Sequence, residues 1–293
     1  MAESILFIIN PISGSGRGAE IAQLVEQRID RHRYSPQIAL TTARGHATAL
    51  AQEAVAQGMP YVVAVGGDGT VNEVARALVG SPTVLGIVPH GSGNGFARHL
   101  GLPTGSPRRA IDVLNVAHAE AVDYGTLNGR PFLCTAGTGF DAVMGDRFVH
   151  LPRRGFVAYA HAVIAGYWGY RPVRCRLQLD DGQELEQEVF LLALANAAQW
   201  GYGVRIAPGA DVRDGLLDIT MVARFPKWRT LGMALRLFAG RIDRSRYVTT
   251  LRARRVRIAR PAPDAVHVDG EPFGMDAMLE AECHPAALRV LMP

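Results

Sequence analysis

The sequence predicts an α/β domain followed by a mainly antiparallel β domain, and three observations predict it. Strand-like and helix-like segments alternate over roughly the first 120 residues, the pattern of layered α/β structure. From about Asp123 onward, short runs of alternating polarity are separated by Asp-Gly pairs, the signature of hairpins. Glycine-rich loops follow strand-like segments in the first half, at Asn10–Gly18, Gly66–Thr70 and His90–Gly95.

The elements follow in order. Ser4 to Ile9 is a short apolar strand, and Asn10 to Gly18 (NPISGSGRG) is a loop. Ala19 to Arg31 has helical spacing, Gln37 to Leu40 reads as a second strand, and Gly45 to Gln57 as a second helix. Tyr61 to Val65 is a buried strand that runs through Gly66-Gly67-Asp68-Gly69-Thr70 into a helix from Val71. Val84 to Val88 is a further strand, ended by Pro89 and a glycine-rich turn, and Pro107 to Asn115 is helical. In the second half the strand-like runs are 174–179, 186–195, 216–222, 256–259 and 265–268. Asp181-Gly182, Asp214-Gly215 and Asp269-Gly270 supply the turns, and stretches near 155–168 and 227–240 look helical. The run Leu288 to Leu291 reads as a last strand returning to the first domain. The predicted boundaries are 1–122, completed by 286–293, and 123–285.

Composition narrows the function. The 293 residues are 48% hydrophobic and 20% charged, ordinary for a folded protein with a real core. No apolar run approaches the roughly 18 residues of a membrane span. The first ten residues lack the basic region of a signal peptide. Cys134, Cys175 and Cys283 are too widely spaced for a disulfide framework or a zinc pattern, so a cytoplasmic protein is expected. Net charge is +4, yet Lys227 is the single lysine. That excludes the lysine-dependent phosphate loops and the protein-kinase strand lysine. A nucleotide would be held by backbone amides, hydroxyls, arginine and metal. No basic–aromatic pattern matches a nucleic-acid module, so no nucleic-acid partner is expected.

A glycine-rich turn between a buried strand and a helix N-terminus aims backbone N–H groups at an anion, which the helix dipole also favours. Ligands of open α/β sheets bind outside the carboxyl ends of the strands, so parallel strands would put all three loops on one rim. Thr41 and Thr42 would share that rim, or serve as a helix-entry cap. An acid within the turn is unusual for a phosphate cradle. Asp68 therefore points to Mg²⁺ beside phosphates, or to a base beside a phosphoryl acceptor.

Gly66-Gly67-Asp68-Gly69-Thr70-Val71-Asn72-Glu73, with Gly91-Ser92-Gly93-Asn94 and Asp269-Gly270-Glu271, resembles the diacylglycerol kinase catalytic-domain family, which is related to the sphingosine and ceramide kinases. The resemblance spans essentially the whole chain. Asn10-Pro11 opens it, Gly139-Phe140-Asp141-Ala142 begins the second domain, and the stretch 208–218 (PGADVRDGLLD) follows. It implies a nucleotide-binding domain similar to those of phosphofructokinases and NAD kinases, then a β-sandwich that takes the lipid. ATP contacts would come from Asn10, Pro11, Ser13, Gly14, Thr41, Gly66, Gly67, Asp68, Gly69, Thr70, Val71, Asn72 and Ser92. Glu271 would accept the proton of the lipid hydroxyl, and Asp68 is the alternative base. Mg²⁺ would be held near Asp211, Asp214 and the Leu216 carbonyl, with Asp123 close by. Taken alone, Asp211 and Asp214 read more readily as ordinary loop carboxylates than as metal ligands, and Asp269-Gly270 as a hairpin turn. Gly95 follows Asn94 where many bacterial diacylglycerol kinases carry an acid, which is closer to the sphingosine kinase style.

The expected function is thus ATP- and Mg²⁺-dependent phosphorylation of a hydroxyl on a diacylglycerol-like or sphingoid-like lipid. The rivals are an NAD kinase-like enzyme and a non-catalytic lipid- or nucleotide-binding regulator. A lipid substrate calls for peripheral contact with an anionic membrane. Trp228 to Arg246, with five arginines, has the make-up of an interfacial amphipathic helix or of a core-facing helix with a solvated arginine face. Leu251 to Arg260 adds a basic run, and Arg153 and Arg154 beside Phe156 and Tyr159 a third contact. The oligomeric state is open, a homodimer included.

Overall fold

The computed structural model describes residues 2–14, 18–149 and 169–293. Ser15 to Arg17, the helix expected near 155–168 and the Arg153–Tyr159 contact lie outside the described residues. The chain divides into two compact units. The first comprises Met1–Asp123, Gly201–Gly203 and Pro285–Pro293, and the second Tyr124–Trp200 and Val204–His284.

The first unit is built on parallel strands. β1 (Glu3–Ile9) lies between β2 (Tyr34–Leu40) and β3 (Tyr61–Gly66), and β4 (Val84–Pro89) pairs with β3. The second half of β18 (Met278–Met292) closes the sheet, with Val290 beside Leu85 in parallel register. Near-continuous apolar runs in β3 and β4 are what a sheet covered on both faces requires. Ile5, Phe7, Ile9, Val63 and Val65 pack under α1 (Gly18–Arg28) and α5 (Pro107–Val116). α2 (His46–Ala56) and α3 (Asp68–Leu78) pack on each other and on β1, β3 and β4. Ser106 caps α5 by accepting the Arg109 N–H, with Pro107 in the first turn.

Two boundaries here differ from expectation for local reasons. α1 stops at Arg28, because the Asp30 carboxylate accepts the His32 N–H at 2.8 Å and turns the chain. β2 starts three residues early and contains Pro36, which an edge strand tolerates because half its N–H groups face no partner.

The second unit is an antiparallel β-sandwich. One sheet runs from the first half of β18 through β15 (Arg255–Ala259) and β8 (Val173–Leu179) to β9 (Glu184–Val189). The other has the order β14 (Val248–Ala253), β13 (Leu217–Val222), β10 (Leu191–Ala195), β7 (Thr135–Gly139), β16 (Asp264–Val268), β17 (Glu271–Met275). Alternate residues make the core: Cys175, Leu177 and Leu179 of β8 face Leu192 and Leu194 of β10 and Ile219 and Met221 of β13. Arg174, Arg176 and Gln178 point outward, as period-two alternation demands.

The run expected at 186–195 breaks at Phe190, sending β9 to one sheet and β10 to the other. Likewise 251–260 is not a continuous basic run on one element. It divides between β14 and β15 on opposite sheets, buries Ala253, Val256 and Ile258, and pairs Arg255 with Glu282 and Arg257 with Glu280. β5 (His118–Leu127), β7, α6 (Phe140–Val149), β14 and β17 were not anticipated as elements. Among the described residues no helix is long and apolar enough to cross a membrane.

Leu177 is fully buried between the two sheets. Leu177→Ala is expected to cost about 2–5 kcal/mol in urea unfolding of the second unit. A loss below about 1 kcal/mol would mean that the facing sheets are not packed there.

Candidate active site

The three glycine loops leave the carboxyl ends of β1, β3 and β4, and because those strands are parallel the loops lie on one rim. They also touch. A Cβ on Gly91 would sit 2.4 Å from Gly67 Cα, so the second and third loops meet backbone to backbone. A Cβ on Gly14, whose φ is +60°, would meet His90 Nε2 and the His90 carbonyl at 2.8 Å, which brings the first loop onto the third. Asn10 Nδ2 donates to Thr70 Oγ1 at 3.2 Å, joining the first loop to the start of α3. Thr41 stands on the same rim, its N–H donated to the Ile9 carbonyl.

α3 begins at Asp68, and its first helical bond is from the Val71 N–H to the Gly67 carbonyl at 3.1 Å. The amides of Gly69 and Thr70 precede that bond, so they belong to the helix's donor end. Gly69 is exposed and nothing lies within 4 Å of where its Cβ would be. A phosphate therefore has open access to the positive end of an 11-residue helix. Ser92 is exposed in the third loop, whereas Val71 and Asn72 turn into the fold and are buried. Glu73 ties α3 to α2: its Oε1 accepts the Gly45 N–H and its carbonyl accepts the Thr48 hydroxyl.

Asp68 is occupied. Its Oδ2 accepts the Asn94 N–H and its Oδ1 the Gly95 N–H, both at 2.7 Å. Burial pushes its carboxyl above the usual carboxylate range, and the Gly95 and Asn94 amides pull against that shift. The carboxylate thus fastens the third loop to the second at the start of α4 (Gly95–His99). Asn94 itself sits at φ +50° and closes the loop, its side chain bonding the Gly91 N–H and carbonyl.

In the second unit Asp269 and Gly270 have φ of +48° and +80° and join β16 to β17 with Val268 opposite Glu271, a type I′ hairpin. The Asp269 carboxylate accepts the N–H groups of Leu133, Cys134 and Thr135 at 2.8–3.0 Å. Glu271, the first residue of β17, therefore stands on an anchored turn and is half-buried.

Of the expected metal ligands, Asp211 and Asp214 each carry an arginine partner. Asp211 accepts from the Arg213 backbone and guanidinium, and Asp214 pairs with Arg252 while accepting the Leu216 N–H. Arg252 also reaches Asp218, whose carboxyl burial pushes up to about 6. Asp123 is buried in the first unit and accepts the Ala286 N–H at 2.7 Å. Among the described residues no three His, Cys, Asp or Glu are placed to hold a metal ion.

Sequence reasoning missed a buried pair: His267 Nε2 and Asp141 Oδ2 are 2.8 Å apart, with side chains 6% and 9% exposed. A Cβ on Gly137 would meet the Leu192 carbonyl at 2.5 Å and the pair at 3.0 and 3.3 Å, so glycine fits between strand and pair. Alternation hinted at it, since His267 lies between core residues Val266 and Val268 and must face the other way.

Comparison with known proteins agrees with this arrangement. Residues 4–127 match the diacylglycerol kinase catalytic domain, and residues 134–292 match the YegS C-terminal NAD kinase beta sandwich-like domain. The chain is 34% identical over 293 residues to a diacylglycerol kinase of Mycobacterium tuberculosis, covering 98% of this chain and 94% of that one. It is 28% identical over 278 residues to a diacylglycerol kinase of Bacillus subtilis, covering 92% and 89%. A crystal structure of a diacylglycerol kinase from Bacillus anthracis superimposes with a TM-score of 0.75 at 21% identity, covering 99% of this chain and 97% of that one. The chain belongs to the diacylglycerol kinase catalytic-domain family, a family of lipid kinases.

Asp68→Asn is expected to lower stability by about 1–3 kcal/mol, because an amide cannot accept both N–H groups. A raised folded-state pKa makes the aspartate's contribution full below its ordinary value of 3.8, and lost as pH rises through the raised value. The stability gap between native and variant should therefore narrow from pH 4 to pH 7 in urea titrations. A gap that widens would reverse the assignment.

Proposed function

We propose that this chain is an ATP-dependent lipid kinase that phosphorylates a hydroxyl of a diacylglycerol-like lipid. The observation that carries the reading is the meeting of three glycine loops around the open N-terminus of α3. It supplies what a lysine-poor chain needs to bind a triphosphate: backbone donors, a helix dipole and no side chains in the way. The names of the relatives favour diacylglycerol over a sphingoid acceptor.

In this reading the amides at the start of α3, with Asn10 to Gly14, Thr41 and Ser92, bind and orient the nucleotide. Asp68 acts as the clamp that keeps the second and third loops in register, since both its oxygens are committed to backbone amides. Glu271 takes the proton from the acceptor hydroxyl. An alcohol is a weak nucleophile at neutral pH, so a base within hydrogen-bond reach raises the rate of attack. Phosphoryl transfer otherwise depends on positioning and charge neutralisation. Mg²⁺ arriving on the nucleotide phosphates would supply neutralisation, as such ions commonly keep waters and few protein ligands.

The test is transfer of label from radiolabelled ATP with Mg²⁺ to mixed micelles of diacylglycerol, monoacylglycerol, sphingosine or ceramide, with NAD⁺ alongside. Labelled diacylglycerol is the expected result. Label on NAD⁺ alone would overturn the lipid acceptor, and label nowhere would favour a nucleotide-binding regulator. Glu271→Gln should lower kcat by at least ~100-fold with the KM for ATP little changed. Near-native turnover would remove Glu271 from the role of base.

A further inference from the structure

Between β13 and β14 the chain forms a 3₁₀ turn, Lys227–Arg229, and a helix α7, Thr230–Phe238. α7 has two apolar faces. Met233 is buried against Phe190, Leu191 and Val222, with Leu237 packed beside it. The other face carries Leu231, Leu235 and Phe238, continued by Trp228, at spacings of three and four residues that align them in one stripe. Their exposures are 72%, 61%, 50% and, for Trp228, 72%. A surface helix needs only the first stripe to hold it to its domain. The second is a continuous row of large apolar side chains in water.

Charge identifies what covers it. Between Arg224 and Arg246 there are seven exposed cations, Arg224, Lys227, Arg229, Arg236, Arg241, Arg244 and Arg246, against the single carboxylate Asp243. The Arg229 guanidinium lies 4.2 Å over the Trp228 ring, placing a cation at the border of the stripe. A second copy of this chain would bring the same cations face to face, so self-association through this surface is electrostatically opposed. An anionic bilayer satisfies both halves. Its acyl boundary takes Trp228, Leu231, Leu235 and Phe238, and its headgroups take the arginines. Tryptophan and arginine are also the side chains best suited to the interfacial layer, one end apolar and the other wet.

We propose that the Trp228–Leu231–Leu235–Phe238 stripe of α7 is a membrane-insertion face specific for anionic lipid. The inference deepens the lipid-kinase reading, because an acceptor dissolved in a bilayer must be met at its surface. Its test does not depend on turnover, so failure of one leaves the other standing.

The full chain is sedimented with sucrose-loaded vesicles of phosphatidylcholine alone or with about one third phosphatidylglycerol. Native protein should partition onto the anionic vesicles, weakly onto neutral ones, and less as salt is raised. Trp228→Ala with Leu231→Ala and Leu235→Ala should reduce anionic partitioning by ~10-fold or more. The circular dichroism and Tm of this variant should be unchanged, since the side chains are exposed. Arg229→Gln with Arg236→Gln, which keeps the stripe intact, should weaken binding and flatten its salt dependence. Native protein that stays in the supernatant, or an apolar variant that partitions as native does, would overturn the proposal. So would substitutions that leave partitioning alone and dissociate a dimer in sedimentation equilibrium, which would make the stripe a contact between copies.

Discussion

The first unit depends on the half-buried carboxylate of Asp68. It sits at the head of α3 and receives two amides from the head of α4, so one side chain holds together two loops that diverge from different strands. Burying a carboxylate is costly, and here short N–H bonds at 2.7 Å offset part of that cost. Glycines at 67 and 91 let the loops close to the point where those bonds form. Remove the carboxylate and the close glycine approach has no force to maintain it. A side chain at Gly91 would meet Gly67 Cα at 2.4 Å and push the two loops apart.

The second unit uses the same device for a different purpose. Asp269 opens a type I′ turn and accepts three consecutive backbone amides from the segment entering β7. The turn is thereby fixed to the centre of its own sheet, and Glu271 leaves it with a defined direction. A reaction that relies on positioning gains from rigid mounts of this kind, because misplacement by about an ångström is costly in rate. In both units the aspartate of the glycine-containing motif is bonded to backbone amides, which fits it for holding local geometry.

Arginine serves two purposes in the sandwich. On β8, β14 and β15 it alternates with core residues and faces carboxylates, as Arg176 does Glu184 and Arg255 does Glu282. These exposed pairs each add little to stability. Around α7 the arginines flank an apolar stripe instead, with one acid between Arg224 and Arg246 in the sequence. The difference lies in local acid content, not in the number of arginines.

Much of the fold was legible in the chain. Apolar runs bounded by glycine marked β1, β3 and β4, and alternation in RCRLQL marked β8, because burial on two faces or one imposes those periods. The Asp269-Gly270 hairpin was readable because only such residues accept two successive positive φ values. β5 and β14 were not readable, since their patterns are weak and their pairing partners lie far along the chain. The same limit governs the site. Local sequence determined the glycine loops, their strand-to-helix setting and the lack of a phosphate-binding lysine, all properties of neighbouring residues. Tertiary structure alone decided that Asp68 serves Asn94 and Gly95, that Asp214 faces Arg252, that His267 meets Asp141, and which of α7's two apolar faces stays in water. Those are contacts between residues distant in sequence, and residue type and spacing carry no record of them.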